Sequence, residues 1–129
     1  MTDLRAFIFI DQLQPQTLAY TSTWMRGTLP RARMAAQIIE IAPGLDVEAL
    51  TDTVLKSAEV RAGFLVVERQ FGTLQFHAYS TAEVQAGADA ALKAMGKRRE
   101  DAEKPKIMAS KIVTPVSYTH LTLPTSDLV

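Results

Sequence analysis

The chain has 129 residues, a length that suits one compact domain, and 47% of them are hydrophobic, which excludes a disordered or fibrous protein. Its 14 basic residues balance its 14 acidic residues, so the long-range attraction typical of proteins that bind nucleic acid or anionic membranes is missing. The absence of cysteine excludes disulfides, thiol nucleophiles and thiolate metal sites. The first apolar run, residues 4–10, is too short for a membrane span and lacks a basic leader, so we expect a soluble cytoplasmic protein.

The first half of the chain predicts two strands and a helix. Residues 4–10 (LRAFIFI) are rich in aromatic and β-branched side chains and predict a mostly buried strand, and residues 37–41 (QIIEI) predict a second strand. A loop with a short helical piece at residues 17–25 is expected between them. A helix follows, with Asp46 as its predicted N-cap. Its apolar stripe consists of Val47, Leu50, Val54, Leu55 and Ala58.

The second half predicts a hairpin and another helix. Residues 63–67 and 73–78 predict two strands that are joined by a turn at residues 68–72. The second strand alternates apolar and polar residues, which predicts one dry face and one wet face. The residues expected on the wet face are Thr73, Gln75 and His77. Ser80 opens a capping-box pattern, and the helix that it begins is expected to end at Gly96.

The order of these elements predicts an α/β fold, an α+β sandwich in which helices cover one face of a mainly antiparallel sheet. The mixed charges of residues 97–106 predict a solvated linker. Residues 107–113 predict the start of a further strand.

The last residues differ in character from the rest of the chain. Residues 116–125 (VSYTHLTLPT) match, residue for residue, the translation of a transposase-type DNA-library adapter, and the alternative is a natural Thr-rich tail. We therefore expect residues 115–129 to be a non-native tail. This leaves a first domain at residues 1–96, and a charged linker with the start of a truncated second domain at residues 97–114.

The residue types give no support for catalysis. Outside the expected tail, His77 is the only histidine, so neither a histidine metal cluster nor a histidine dyad can form. The glycines Gly44, Gly63 and Gly72 stand apart from one another, so no phosphate-binding loop is predicted. We expect no catalytic residue, no metal and no cofactor, and therefore not an enzyme.

One short segment stands out. In VVERQFG, residues 66–72, two opposite charges follow the end of a strand side by side before the chain turns into the next strand. Charges at such a boundary are usually exposed turn residues, so the residue types alone assign this pair no role.

Three segments together resemble a known family: DLRAFIFIDQLQPQ, EIAPGLDVEALTDTVLKSAEVRAG and VVERQFG. They are similar to the first half of a bacterial microcompartment shell protein, and more narrowly to the tandem-domain, circularly permuted shell proteins of carboxysomes. The resemblance runs from about residue 3 to about residue 114. It implies a permuted microcompartment domain that forms pseudohexameric trimers with a gated central pore, and the family also suggests stacked pairs of trimers.

The resemblance implies roles for the hairpin loop. Glu68 and Arg69 match the adjacent acid and base that line and gate the family's pore, and Gln70, Phe71 and Gly72 complete the pore loop. Gly72 is expected to supply a permissive backbone. Because each residue occurs three times around a trimer axis, pairing Glu68 with Arg69 would relieve repulsion between like charges and give closed and open arrangements.

The function that the resemblance implies is structural. The chain would be a tile of a carboxysome shell that associates with copies of itself and with other shell proteins, and its pore would pass small charged metabolites. Lys56 matches the edge lysine that packs against its symmetry mate between neighbouring tiles. We expect no nucleic-acid and no membrane partner. The alternatives are a tile of a catabolic microcompartment, or a regulatory α/β-sandwich domain that binds a small molecule between subunits.

Overall fold

The structure, a computed structural model, describes residues 2–104 and 109–114. Its four strands form one antiparallel sheet in the order β1–β2–β4–β3. The strands are β1 (Asp3–Ile10), β2 (Ala35–Ala42), β3 (Arg61–Glu68) and β4 (Phe71–Ala78). The helices are α1 (Pro15–Thr21), α2 (Asp46–Ser57) and α3 (Thr81–Met95), with 3₁₀ turns at Ser22–Trp24 and Arg99–Asp101. Within the described residues, no helix has the length and apolar character needed to cross a membrane.

The main core lies between the sheet and the two long helices. Ile39, Leu74 and Phe76 of the central strands are fully buried there, and removing apolar side chains of this size from water contributes roughly 1.5–3 kcal/mol each. The helix residues that bury the same surface include Val47, Val54, Val84 and Ala88. The predicted α+β sandwich, with α2 and α3 on one face of an antiparallel sheet, is thus confirmed.

The opposite face of the sheet is not wet along β4, and here the prediction is wrong. Gln75 and His77 are 2% and 1% exposed. The reason is that the segment between β1 and β2 folds over this face: Leu18 of α1 packs on Ala36, which is paired with His77 across the sheet. Alternation within a strand cannot detect a cover of this kind, because the cover comes from elsewhere in the chain.

The helix starts differ in part from the predicted ones. Leu45, not Asp46, is the N-cap of α2, and its side chain makes no capping hydrogen bond. Ser80 caps α3 as predicted, with its Oγ accepting a hydrogen bond from the backbone N–H of Glu83 at 3.3 Å. The Glu83 carboxylate does not close the capping box; it accepts a hydrogen bond from the backbone N–H of Glu59 at 2.8 Å and ties α3 to the start of β3.

The segment after α3 is exposed over most of its described length, and two of its charged side chains contact the domain. Arg99 lies 3.5 Å from the carboxylate of Asp89 and 5.3 Å from the ring centroid of Phe7. Glu103 accepts a hydrogen bond from Arg5 at 3.0 Å. In these contacts Arg99 meets a carboxylate on α3 and an aromatic ring on β1. Glu103 meets a guanidinium on β1.

Two further expectations concern the end of the chain. Residues 109–114 form no strand, so the described part of the strand predicted at 107–113 is absent. Residues 107 and 108, and the expected tail at 115–129, lie outside the described residues.

Candidate functional site

The VVERQFG segment forms a tight hairpin between β3 and β4. Glu68 and Phe71 are paired across the two strands, so the loop consists of Arg69 and Gln70 alone and is shorter than the turn predicted at residues 68–72. Arg69 has φ 55°, in the left-handed region. Positive φ at the first central residue is what two-residue hairpins with the usual strand twist require.

The charges at the tip of the hairpin face solvent. Glu68, Arg69 and Gln70 are all exposed, and no residue in the described ranges forms an ion pair with Glu68 or Arg69. The pairing of Glu68 with Arg69 expected for one arrangement of a pore is therefore not made within the single chain. Two opposite charges therefore stand next to each other at the exposed tip of the hairpin.

The base of the hairpin is held by a residue that sequence reasoning missed. The guanidinium of Arg5, on β1, lies 4.1 Å from the ring centroid of Phe71. Its Nε lies 3.4 Å from Oε1 of Glu40, whose Oε2 accepts a hydrogen bond from Thr73 at 3.4 Å. No local spacing signals this cluster, because Arg5, Glu40 and Phe71 come from three different strands.

Gly72 is buried, and it is needed for its small size rather than for its backbone angles. A Cβ on Gly72 would overlap the carbonyl oxygen of Gly44 and lie 2.9 Å from Cβ of Val47. Its φ does not lie in the left-handed region, so the permissive backbone expected here is not used. The loop that begins α2 therefore packs directly on the first residues of β4.

A depression of about 300 Å³ opens beside the hairpin. Its walls include the aromatic residues Trp24, Phe64 and Phe71 and the carboxylates Glu40 and Glu68. Because Arg5 lies against Glu40, Glu68 is the carboxylate of the depression with no charged partner among the described residues. A small molecule that enters the depression therefore meets an unpaired negative charge at its edge.

Lys56 lies apart from the hairpin. It is exposed on α2, where its Nζ lies 2.8 Å from Oδ2 of Asp52, and this hydrogen bond raises the pKa of Lys56. The hairpin packs near the first turn of α2, and Lys56 is about 15 Å further along the helix axis at 1.5 Å per residue. The structure thus gathers residues 68–72 at the tip and base of the hairpin and puts Lys56 at another place.

His77 belongs to neither place. Burial, together with the positive charge of Arg61, lowers the pKa of His77 to about 4. Its Nδ1 lies 3.1 Å from Oε1 of Gln75 in the buried layer under α1. Among the described residues, no group of three or more histidines and carboxylates could hold a metal ion.

Comparison with known proteins identifies the family. Residues 4–101 match the model of the CsoS1D N-terminal domain. The chain belongs to this family of bacterial microcompartment shell proteins. It is 37% identical over 111 residues to the carboxysome shell protein CcmP of Synechococcus elongatus, an alignment that covers 86% of the chain and 52% of the relative. The chain thus spans about half the length of this curated relative.

Solved structures support the same family. The fused permuted hexameric shell protein MSM0275 from the RMM microcompartment superposes with a TM-score of 0.85 and 58% identity, over 94% of this chain and 59% of that one. The double ringed trimeric shell protein MSM0271 from the same microcompartment gives a TM-score of 0.83 and 34% identity, over 95% and 59%. The resemblance of the three sequence segments to bacterial microcompartment shell proteins is confirmed.

Proposed function

We propose that the chain is a domain of a shell tile whose β3–β4 hairpin lines a central pore. The observation that carries the proposal is the exposure of Glu68 and Arg69 and their lack of ion-pair partners. They are adjacent on a two-residue loop, exposed, and without an ion-pair partner among the described residues. In a monomer such a pair would only be exposed turn residues. In a ring the same pair supplies both positive and negative charge at the axis.

Symmetry gives the pair its chemistry. Around the axis of a ring, copies of Glu68 converge with copies of Glu68, and copies of Arg69 with copies of Arg69. Like charges repel at short range, so pairing an acid of one subunit with a base of the same or a neighbouring subunit lowers the energy. Side-chain rotation alone could then change between a paired, closed ring and an unpaired, open one that passes small charged metabolites.

Association with copies of the chain is supported by its exposed apolar surface. β3 is an edge strand, and Leu65, Val66 and Val67 on it are 39%, 37% and 38% exposed. Exposed apolar side chains along an unpaired strand edge are typical of a surface that associates with another chain. The solved neighbours are described as hexameric and as double ringed trimeric, which supports a ring and a stacked pair of rings for this chain.

Contacts between tiles would use Lys56 on the other end of α2. Its exposed position at the last turn of the helix leaves the ammonium group within reach of a neighbouring tile. Other shell proteins would join at the same edge. No catalytic role is part of the proposal, and the relatives are shell proteins rather than enzymes.

The kind of microcompartment has two candidates. A carboxysome is supported by the CsoS1D family match and by CcmP. A shell like that of the RMM microcompartment is favoured by one observation, the 58% identity to MSM0275 against 37% to CcmP. The neighbouring genes distinguish them: genes for Rubisco and carbonic anhydrase support the carboxysome, and genes for dehydrogenases support the second candidate.

The domain boundaries are part of the proposal as well. Residues 1–96 would be the first domain, 97–114 a linker leading into a second domain, and 115–129 a non-native tail. The family match ends at residue 101, close to the proposed boundary. Resequencing the source DNA across the codon for Pro115 checks this: a frame that continues into a second, similar domain supports it, and a frame that encodes the tail and stops contradicts it.

The pore is tested by conductance of the assembled protein in planar bilayers. Glu68→Gln and Arg69→Gln should leave the rings unchanged in electron micrographs and shift ion selectivity in opposite directions, since each removes one sign of charge. Lys93→Gln, a charge change in the last turn of α3, is the control and should leave selectivity unchanged. Saturable binding of one small molecule, without any ring or sheet assembly, would instead support the regulatory-domain alternative.

A further inference from the structure

Arg5 touches three parts of the molecule at once. Its guanidinium covers one face of the Phe71 ring at 4.1 Å, its Nε lies 3.4 Å from Glu40, and its Nη1 donates a hydrogen bond to Oε2 of Glu103 at 3.0 Å. The contact with Glu103 spans 98 positions of sequence. A planar guanidinium can make all three contacts together, while the ammonium group of a lysine offers no flat face to a ring.

The contact on Phe71 acts at the base of the hairpin. Phe71 is paired with Glu68 across the two strands, so a displacement of the Phe71 backbone displaces Glu68 with it. On the next residue, Gly72 is fixed against Gly44, with no room for movement toward α2. The ring of Phe71, half-buried under Arg5, is therefore the part of the hairpin base whose position depends on a long, charged side chain.

The contact with Glu103 reaches the segment that follows α3. The side chain of Glu103 is 55% exposed and that of Arg5 is 32% exposed, so this ion pair can be made and broken without unfolding the core. When Glu103 is absent, Arg5 retains Glu40 as its only carboxylate among the contacts described, and its guanidinium is free to tilt away from the ring. One side chain thus contacts both the segment after α3 and the base of the hairpin.

We propose that Arg5 is a positioning residue that couples the β3–β4 hairpin to the segment at residues 97–104. Movement of this segment changes the mobility of Glu68 and Arg69 through the stack of Arg5 on Phe71. That this coupling controls a pore rests on the proposed function. The coupling itself needs only the single chain.

The test is hydrogen–deuterium exchange of the backbone amides of residues 68–72, measured on the whole protein. Glu103→Gln should raise exchange at the hairpin about two- to fivefold, the factor that corresponds to loss of an exposed cation–π contact. Arg5→Lys should do the same. The matched control is Glu100→Gln, which removes a carboxylate from the same segment that lies 3.9 Å from Arg98 and makes no described contact with Arg5.

A double variant separates coupling from general destabilisation. If Glu103 acts through Arg5, adding Glu103→Gln to Arg5→Lys raises hairpin exchange no further, while exchange in α3 and in the centre of the sheet stays at the wild-type level. Unchanged hairpin exchange in Glu103→Gln, additive effects in the double variant, or an equal rise throughout the domain would each overturn the proposal. Because exchange needs no ring, raised hairpin exchange in Glu103→Gln together with unaltered ion selectivity in Glu68→Gln and Arg69→Gln would contradict the pore and leave the coupling standing.

Discussion

The backbones of Gly44 and Gly72 pack directly against each other, and neither residue has room for a side chain. A Cβ on Gly44 would lie 2.6 Å from the carbonyl oxygen of Phe71, and one on Gly72 would overlap the carbonyl oxygen of Gly44. This contact fixes the distance between the start of α2 and the base of the hairpin. The position of the charged loop thus depends on two residues that carry no charge and no side chain.

Gly72→Ala should destabilise the domain by about 1–3 kcal/mol, because the methyl group forces two backbones apart. Chemical denaturation at neutral pH measures the change in the free energy of unfolding. Gln70→Ala, on the exposed tip of the same hairpin, is the control and should stay within about 0.5 kcal/mol of the wild type. A Gly72→Ala protein as stable as the wild type would show that the contact is not tight.

The stability of the domain should fall in acid because of His77. Its pKa of about 4 in the folded protein lies below the ordinary 6.5, so protonation favours the unfolded chain. Neutral His77 contributes fully to the free energy of unfolding above pH 6.5, and this contribution is lost between pH 6.5 and about 4. In that window the free energy of unfolding falls by up to about 1.4 kcal/mol per pH unit, the value for binding a single proton.

Unfolding free energies measured from pH 7 to pH 4 test this, with His77→Gln as the variant that cannot titrate. The variant should lose most of the slope in this window even if it is less stable at pH 7. A histidine NMR titration that places His77 at or above its ordinary pKa would contradict the expectation.

The helix cap at Ser80 offers a third prediction. Ser80→Ala removes the acceptor for the N–H of Glu83 and should lower the free energy of unfolding by about 1 kcal/mol. Ser57→Ala is the matched control, since that hydroxyl is exposed and only bonds the carbonyl of Thr53 within the last turn of α2. Thermal unfolding of both variants measures the difference, and equal melting temperatures would exclude a stabilising cap.

Lys56 should matter for assembly and not for folding. Its side chain is exposed and contacts only Asp52 within the described chain, so Lys56→Ala should unfold like the wild type. If Lys56 joins neighbouring tiles, the same variant should fail to form extended sheets in electron micrographs. Lys93→Ala, which removes a lysine from the last turn of α3, should form them normally. Sheets formed by Lys56→Ala would exclude the edge role.

The elements that local patterns determine were predictable from the sequence. The helix α2, the serine that begins α3, Gly96 with φ 67° at its end, and both strands of the hairpin follow from nearest neighbours along the chain. The apolar stripe predicted for α2 is wrong at Leu55, which is 43% exposed. The adjacent charges of Glu68 and Arg69 were also visible as neighbours along the chain. The role expected for them came only from the resemblance.

Features that join distant segments were not predictable in this way. His77 has the alternation of an exposed residue, yet residues between β1 and β2 cover it, and those residues have no periodicity that would show it. The contacts of Arg5 with Phe71 and Glu103 depend on which strands lie side by side. Only the three-dimensional arrangement brings such partners together.

The central claim is that the β3–β4 hairpin lies at the axis of a ring. Because the chain contains no cysteine, a spin label can be attached at a single introduced cysteine. Gln70→Cys labels the tip of the hairpin, and Ser57→Cys labels the far end of α2, next to the proposed tile edge. Dipolar distances between labels, measured in isolated rings, should be clearly shorter at position 70 than at position 57. Rings in which the labels at position 70 are as far apart as those at position 57, or farther, would contradict the pore.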